Sequence, residues 1–501
     1  KAARRAADLL RGFGRDRRGN FAVTFILALL PIGVGVASAV EFTQIVRIKQ
    51  NVMSALDAAA IAAGRDFLAG ATTDQLTDYG SKFFYANLSA TDAKNVTFSL
   101  EFPQDSIAGG QLAAHAKLVY HPTFAGFVYY LSSGADDWNT LIFNFTSTVR
   151  LKNTEEIALV LDNSGSMSDI GPSGITRLQL LKNNTKQLVQ TLFAQGGQIK
   201  QLVDPVKFSV VPFSSSVNVA YTSGSGVPQV DRYTAWIDGQ GLSPVHSLEL
   251  DWSRYAGAHK VGYQWLDANN NPLTRFTLFG AMQVQTCTQT KRGSCVSYSS
   301  SSYASWRGCV EARPYPYNLD DTPPSTGNPA TLFVPMFAPD EYDSSYSYNN
   351  YWPDPGSSTE TTKQKQTDVT KYFVQRASSS GYRGTGPNLS CESAPLIPLT
   401  MDQTRIDNAI DAMVANGATN VTEGLAWGMR TLSSTEPFTE GRAETEKGND
   451  KIIVLVTDGS NTYYTPSSLG ATDYANNKSI YAAEGYTADV DPGQSKSRIF
   501  T

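Results

Sequence analysis

The stretch "ALVLDNSGSM", Ala158–Met167, is the one from which the fold of this chain is read. An apolar run ends abruptly in Asp162, Ser164 and Ser166, three oxygen-bearing side chains at alternate positions. An apolar run without polar alternation is what a strand buried on both faces of a parallel sheet requires. In an open α/β sheet, sites form beyond the C-terminal ends of such strands. The stretch therefore reads as a strand that delivers one carboxylate and two hydroxyls to a sheet rim. A metal site, a nucleophilic Asp or Ser, and a polar turn without chemistry are the three candidates.

Two more runs of the same kind follow, "VKFSVVPFS" from Val206 and "KIIVLVTDG" from Lys451. With "EIALVLD" they are expected as central parallel strands, buried on both faces. Between the first two lies "TRLQLLKNNTKQLVQTLFA", whose Leu178, Leu181, Leu188 and Leu192 are placed on one helical face. Strand–helix–strand in that order demands a right-handed βαβ unit. "RIDNAIDAMVANGATNVTEGLAWGMRTL" supplies two further helices before the third strand. Residues 214–394, which separate the second strand from these helices, are far too many for a loop. They are expected as an inserted subdomain, and they carry all four cysteines.

Asp162 ends the first strand and Asp458 the third, so both carboxylates project to one rim. Thr419, in the loop between the two helices, reaches that rim from the side. Asp162, Ser164, Ser166, Thr419 and Asp458 offer only hard oxygen donors, which suit Mg²⁺, Mn²⁺ or Ca²⁺ and not a site with a thiolate or imidazole preference. Three neutral hydroxyls beside two carboxylates leave a divalent ion under-neutralised where a carboxylate binds only through water, so that it stays electrophilic and able to take an acidic oxygen from a partner.

The remainder of the chain bounds where such a site works. The first 20 residues carry seven Lys or Arg against two Asp, and "FAVTFILALLPIGVGVASAV", residues 21–40, has no charge. Twenty apolar residues suffice to span a hydrocarbon core. Only Arg47 and Lys49 are basic in the next 20 positions, so the positive-inside bias puts the N-terminus in the cytoplasm and the bulk outside. Ala37-Ser38-Ala39 resembles a cleavage site. The apolar stretch exceeds the roughly 7–15 residues of a signal-peptide core, however, so an uncleaved anchor is expected. The chain opens on Lys1 rather than Met, which makes a fragment or processed product the expectation. Residues 41–70 form an Ala-rich amphipathic helix, with Ile45, Ile48, Val52, Leu56, Ala60, Ala63 and Phe67 in one stripe. That stripe packs either on the chain's own next domain or on another membrane subunit. Residues 71–152 read as a small α+β domain with a short helix near Lys82–Asn87 and strands in "NVTFSLEF" and "LAAHAKLVYH". His115 and His121 are ordinary histidines, lacking a third ligand. A net charge of −5 excludes a broad basic nucleic-acid face, so no nucleic acid is expected as a partner.

D-x-S-x-S in "LDNSGSM", the Thr of "NGATN" and the Asp of "VLVTDG" resemble the metal-ion-dependent adhesion site of von Willebrand factor type A domains, with all five ligand positions filled. The basic N-terminus, single span, Ala-rich helix and long insertion resemble the TadG-like proteins of tight-adherence (Flp) pilus assembly. The insertion matches that family in "WRGCVEARPYPYNLDDTPP", "LFVPMFAPDE", "NNYWPD" and "GPNLSCESAPLIPLT". The resemblance implies a TadE/TadG-like anchor and a Rossmann-like α/β type A domain over 153–213 and 395–501, interrupted by a disulfide-containing insertion. It implies Mg²⁺ (or Mn²⁺ or Ca²⁺) as cofactor, a protein partner offering an acidic residue to the metal, and other pilus-assembly subunits as neighbours. The expected location is the inner membrane, crossed once, with the bulk in the periplasm. Type A domains carry further strands after the "TDG" turn, and the chain stops at Thr501, the last residue of "SRIFT", so an incomplete sheet is expected. Pilin-like processing would require Glu where Thr24 stands, five places after Gly19.

Enzyme readings fare worse. A haloacid-dehalogenase-type phosphotransferase resembles D-x-D, and here the second position is Ser164, which is no proton donor of that kind. A Ser hydrolase would require a G-x-S-x-G elbow and a histidine; His246 and His259 both fall in the insertion. The chain is expected not to be an enzyme. A surface adhesin is the second non-enzymatic reading, in which "VSYSSSSYASW" and "DEYDSSYSYNNYW" serve as Tyr/Ser binding loops. For the cysteines, spacing alone does not fix connectivity. Pairing Cys287 with Cys295 closes a small loop and leaves Cys309 for Cys391, a closure of about 80 residues worth about 4 kcal/mol in the chain-entropy model.

The charge bias generates a topology prediction. An alkaline phosphatase fusion placed after Gly70 should be active in intact cells, whereas an inactive fusion beside an active cytoplasmic reporter would reverse the orientation.

Overall fold

From Arg18 to Leu68 the chain is one helix, α1, with Pro31 inside it. The span and the amphipathic helix, expected as 21–40 and 41–70, are thus continuous. α1 stops where Gly70 takes a φ of 97°, a left-handed conformation that suits glycine. The computed structural model describes residues 18–102, 111–124, 140–151, 153–198, 204–223, 225–318, 320–343, 349–355, 359–378, 382, 386–446, 448–459 and 461–462. They divide into two compact units, one within Lys1–Asn153 and one within Thr154–Thr501, with Gln198 grouping with the first.

In the first unit, α1 from Phe25 onward is long and apolar enough to cross a membrane. Phe25, Ile26, Leu27, Ile32 and Val36 are exposed there, whereas Val52, Ala55, Leu56, Ala59, Ala60 and Ala63 are buried. The buried stripe packs on the unit's own elements: helix α2, Thr73–Ala86, and an antiparallel sheet of β1, Val96–Glu101, β2, Gln111–Tyr120, and β3, Leu141–Arg150. Phe84, Val96, Ala114, Ala116 and Leu118 complete that core. α2 is longer than the helix expected near Lys82–Asn87. Its start is fixed by a capping box in which Thr72 and Gln75 satisfy each other's backbone N–H. His115 Nε2 lies 3.1 Å from Glu101 and His121 Nδ1 3.4 Å from Thr140, ordinary pairings for strand and loop histidines.

The second unit is built on a four-stranded sheet in the order β12-β5-β4-β13. β4 is Thr154–Asp162, β5 Val206–Phe213, and helix α3, Arg177–Gly196, links them. β5 and β13, Asn449–Val456, both run parallel to β4, with Leu159 opposite Val210 on one side and Val454 on the other. The short β12, Ile397–Thr400, was not legible as a strand and runs antiparallel to β5. Helices α6, Gln403–Asp411, and α7, Val421–Leu432, are the two expected before the third strand.

β4 alternates between two cores. Leu159 and Leu161 join Leu178, Leu181 and Val189 of α3 and Ile406 and Ile410 of α6. Val160 joins Phe213, Trp427 of α7, and Val217, Trp236, Val310 and Phe333 from the insertion. Residues 214–394 therefore share a core with one face of the sheet. Leu188, expected on the buried face of α3, is exposed, and Val189 takes its place. At 100° per residue, Val189 lies about 20° from Leu178 round the helix, whereas Leu188 lies about 80° away. β13 also departs from expectation. Ile452, Ile453 and Leu455 are each close to 40% exposed, because among the described residues this strand pairs only with β4.

Within the insertion, β6, His259–Val261, β7, Gln264–Leu266, and β8, Pro272–Leu273, form one small sheet. Helix α4, Arg275–Ala281, leads to the hairpin of β9, Gln283–Lys291, and β10, Ser294–Ser302. β9 also pairs with β11, Arg376–Ala377, which follows helix α5, Thr362–Thr367. "VSYSSSSYASW" is thus mostly hairpin strand rather than loop. Asp340, Glu341, Tyr351 and Trp352, from the other Tyr/Ser stretch, are buried; the part of it at 344–348 lies outside the described residues. The disulfides are Cys287–Cys295 and Cys309–Cys391, the pairing expected.

α7 lies on the sheet through two glycines. A Cβ at Gly424 would fall 2.7 Å from Phe213, and one at Gly428 2.6 Å from Val160. Gly428→Ala should therefore force β4 and α7 apart at a cost of about 1–3 kcal/mol. Thermal unfolding of the purified chain should report a lower midpoint, and an unchanged midpoint would contradict this close packing.

Candidate metal centre

Asp162 is the last residue of a strand in which it and its five predecessors from Ile157 are buried, and its side chain is itself fully buried. A carboxylate in that position needs donors. One comes from its own loop, since Ser164 N–H donates to Oδ1 at 2.8 Å, the local turn that an Asp two residues ahead of a Ser commonly makes. The other comes from across the sheet, where the Thr457 hydroxyl donates to Oδ2 at 2.6 Å.

The serines continue the chain of bonds. Ser166 Oγ donates to Asp458 Oδ1 at 2.9 Å and lies 3.2 Å from Ser164 Oγ. Ser166 spends its single proton on Asp458, so Ser164 is the donor between the two hydroxyls. Residues 165–168 form a 3-10 turn that buries Met167 in the sheet core, which anchors the loop. Asp458 Oδ2 receives Arg177 Nη1 at 2.5 Å, and Asp458 holds the guanidinium firmly protonated through that bond.

Thr419 approaches on the loop between α6 and α7. Gly165 N–H donates to Gly417 O at 2.9 Å, and Asn416 N–H to Asn163 O at 2.9 Å, so this loop is bonded to the Asp162 loop through backbone. Thr419 is buried, and its backbone N–H and C=O both bond to Thr462, beyond β13. The structure thus joins Asp162, Ser164, Ser166 and Asp458 in one hydrogen-bonded chain and brings the Thr419 loop alongside.

Sequence reading missed several residues of this rim. Thr457 stood one place before Asp458 in "VTDG". Ser214 and Ser215 follow β5 directly, in "PFSSS", and meet the Thr419 loop: Ser215 Oγ takes Ala418 N–H at 3.0 Å, and Ser214 O takes Asn420 N–H at 2.9 Å. A position at the end of a central strand was the signal available for each. Glu392, from the insertion, had no such signal. Its carboxylate lies against Gly417, where φ is 82° and a Cβ would sit 2.2 Å from Oε2. Burial pushes this carboxyl above its usual range, against the pull of Arg307 and a Ser215 bond.

The donor set fits a hard divalent ion: two carboxylates and three hydroxyls, all oxygen, at a strand-end rim. Among the described residues no three His, Cys, Asp or Glu side chains cluster, so hydroxyls must share the ligation if an ion binds. His246 is committed elsewhere. Fully buried, it accepts Arg275 N–H at Nε2 (3.1 Å), so its proton is on Nδ1, 2.8 Å from Asp238. Burial alone would raise the Asp238 carboxyl, but the nearby His246 and the backbone donors leave it below its ordinary range. His259 lies on the exposed strand β6.

Residues 19–66 match the family model described as putative Flp pilus-assembly TadE/G-like. That match ties the N-terminal segment to Flp pilus assembly. Among curated proteins none matches the chain. Three solved structures overlap it in part. The PilB minor pilin from Streptococcus sanguinis is 15% identical over 25% of this chain and 31% of that one, with a TM-score of 0.13. The N-terminal domains of the type V pili tip protein Mfa5 from Porphyromonas gingivalis are 12% identical over 24% and 16%, TM-score 0.12. The pilus adhesin RrgA from Streptococcus pneumoniae is 10% identical over 28% and 14%, TM-score 0.11. The chain spans about a third or less of the length of each of these.

The Thr457 bond can be tested alone. Thr457→Val leaves a buried carboxylate oxygen without its donor and should cost about 1–3 kcal/mol in chemical denaturation. Unchanged stability would mean that Asp162 does not depend on the neighbouring strand.

Proposed function

We propose that this chain is a membrane-anchored component of Flp/tight-adherence pilus assembly that grips a protein partner through a metal-ion-dependent adhesion site of the von Willebrand type A kind. Its N-terminus lies in the cytoplasm, α1 crosses the inner membrane once, and the sheet-bearing unit works in the periplasm beside other pilus-assembly subunits. The role is binding, not catalysis.

The observation that carries this reading is the bonded chain Asp162–Ser164–Ser166–Asp458 across the ends of two adjacent parallel strands. Asp162 and Asp458 would hold Mg²⁺, Mn²⁺ or Ca²⁺ with the hydroxyls of Ser164, Ser166 and Thr419. When bound, the ion supplies a Lewis-acidic position for a carboxylate of the partner. The chain's own residues do the rest. Thr457 fixes Asp162 in orientation, Met167 anchors the serine turn, and the Gly165–Gly417 backbone bond keeps Thr419 beside it. Two carboxylates balance the ion's charge only where both bind it directly; with one of them held through water the ion stays electrophilic, and a partner carboxylate completes its shell. The TadE/G-like match at residues 19–66 supports the pilus context.

Calorimetry with MnCl₂ on the full chain in detergent tests the site. Asp162→Ala should abolish uptake and pilus-related function while membrane insertion stays normal. Thr419→Ala should weaken uptake less, since water can replace one neutral ligand. Equal uptake by wild type and Asp162→Ala would reduce the opening stretch to a polar turn.

A further inference from the structure

We propose that Arg177 is a resident cation of this site, competing with the divalent ion for Asp458 and so setting how tightly the site takes it. The inference rests on the metal-site reading above and concerns its regulation.

The geometry gives Arg177 two berths. Its Nη1 lies 2.5 Å from Asp458 Oδ2 and 3.6 Å from Asp169 Oδ2. The Asp458 side chain is only 9% exposed, whereas those of Arg177 and Asp169 are 42% and 63% exposed. The first berth is thus inside the site and the second is in water. Arg177 is also built into the site's own frame. It is the first residue of α3, its helix start is capped by Thr176, and its backbone N–H donates to Asp169 O at 2.9 Å. Asp169 in turn follows the serine turn, and its N–H donates to Ser166 O at 3.0 Å. The backbone of Arg177, the serine turn and Asp169 are therefore bonded into one frame, and only the side chain of Arg177 has a choice to make.

Charge makes that choice consequential. Asp162 is satisfied by neutral donors, the Ser164 amide and the Thr457 hydroxyl. Asp458 is satisfied by one hydroxyl and one full positive charge. With Arg177 in place, two carboxylates present one uncompensated negative charge to an incoming cation, and Oδ2 of Asp458 is taken. A divalent ion that draws on Asp458 meets a fixed positive charge within a few ångströms, in a partly desolvated setting where such repulsion is not fully screened. Movement of the guanidinium onto Asp169 frees Oδ2 of Asp458 and draws the positive charge toward solvent, where its repulsion is better screened. Asp169 is then a positioning residue for metal uptake although it is no ligand.

Titration of the full chain in detergent with MnCl₂ tests this. Arg177→Gln should bind Mn²⁺ about tenfold more tightly than wild type. Arg177→Lys, which keeps the charge, should stay close to wild type. Asp169→Asn, which removes the outer berth, should bind more weakly. In a chelator, Arg177→Gln should melt no higher than wild type, so tighter binding accompanies equal or lower intrinsic stability. A purely structural Arg177 would lower both together. Unchanged or weaker Mn²⁺ binding by Arg177→Gln, beside normal uptake by wild type, overturns the competition and leaves the metal site standing. If Arg177→Gln does not fold, Asp169→Asn binding as tightly as wild type overturns it instead. Uptake by none of the proteins overturns both.

Discussion

A carboxylate buried at the end of a buried strand is the constraint on which this unit turns. Asp162 has no exposed surface, and its two oxygens are held by one donor from its own loop and one from the end of β13. The second donor exists only if β13 pairs beside β4 in a single register, Val456 opposite Leu161. That register also sets Asp458 next to Ser166. Slipping one residue would turn every side chain of β13 to the other face and strand Asp162 without its partner. Sheet pairing and site assembly are therefore one event, and residues nearly 300 positions apart in sequence depend on each other for it.

The insertion matters to the same constraint from the other side. Its Trp236, Val310 and Phe333 pack with Val160, Phe213 and Trp427, so the face of the sheet that α3 and α6 do not cover is filled by residues 214–394 and α7 together. The two ends of the insertion meet where Ser216 Oγ donates to Ser390 O and Ser393 Oγ to Ser216 O, and the Cys309–Cys391 bridge ties its middle to its C-terminal end there. Deeper inside, Arg275 is paired with Glu249 and Glu311, and Lys371 with Asp340 at 2.9 Å, all without exposure. Buried pairs of this kind add little net stability over an apolar core, but removing one partner is costly.

Much of this was legible in the sequence because it rests on local pattern. The three apolar runs, the helix between the first two, the two helices around "NGATN" and the placing of Asp162 and Asp458 at strand ends all follow from periodicity. What was not legible depends on contacts that no local pattern encodes. The apolar run of β13 reads as doubly buried, yet its burial depends on what covers it, and Ile453 and Leu455 are partly exposed. β12 is four residues with Pro398 among them, too short to stand out. The polar first half of α2 concealed a helix whose real signal was Thr72 and Gln75 three apart. At the site, Arg177 read only as the start of a helix; its place beside Asp458 comes from 281 residues away. Thr457 and Ser215 were visible as strand-end residues and could have been named on that ground alone.

The claim at the centre of this account is that oxygen atoms from two strand ends and one loop converge on a single cation. Diffraction from crystals grown with MnCl₂, at a wavelength where manganese scatters anomalously, addresses it directly. The account predicts one strong anomalous peak within bonding distance of the Ser164 and Ser166 hydroxyls, beside Asp458 and Thr419. A map with no peak at that rim, or with its only strong peak elsewhere on the chain, would contradict it.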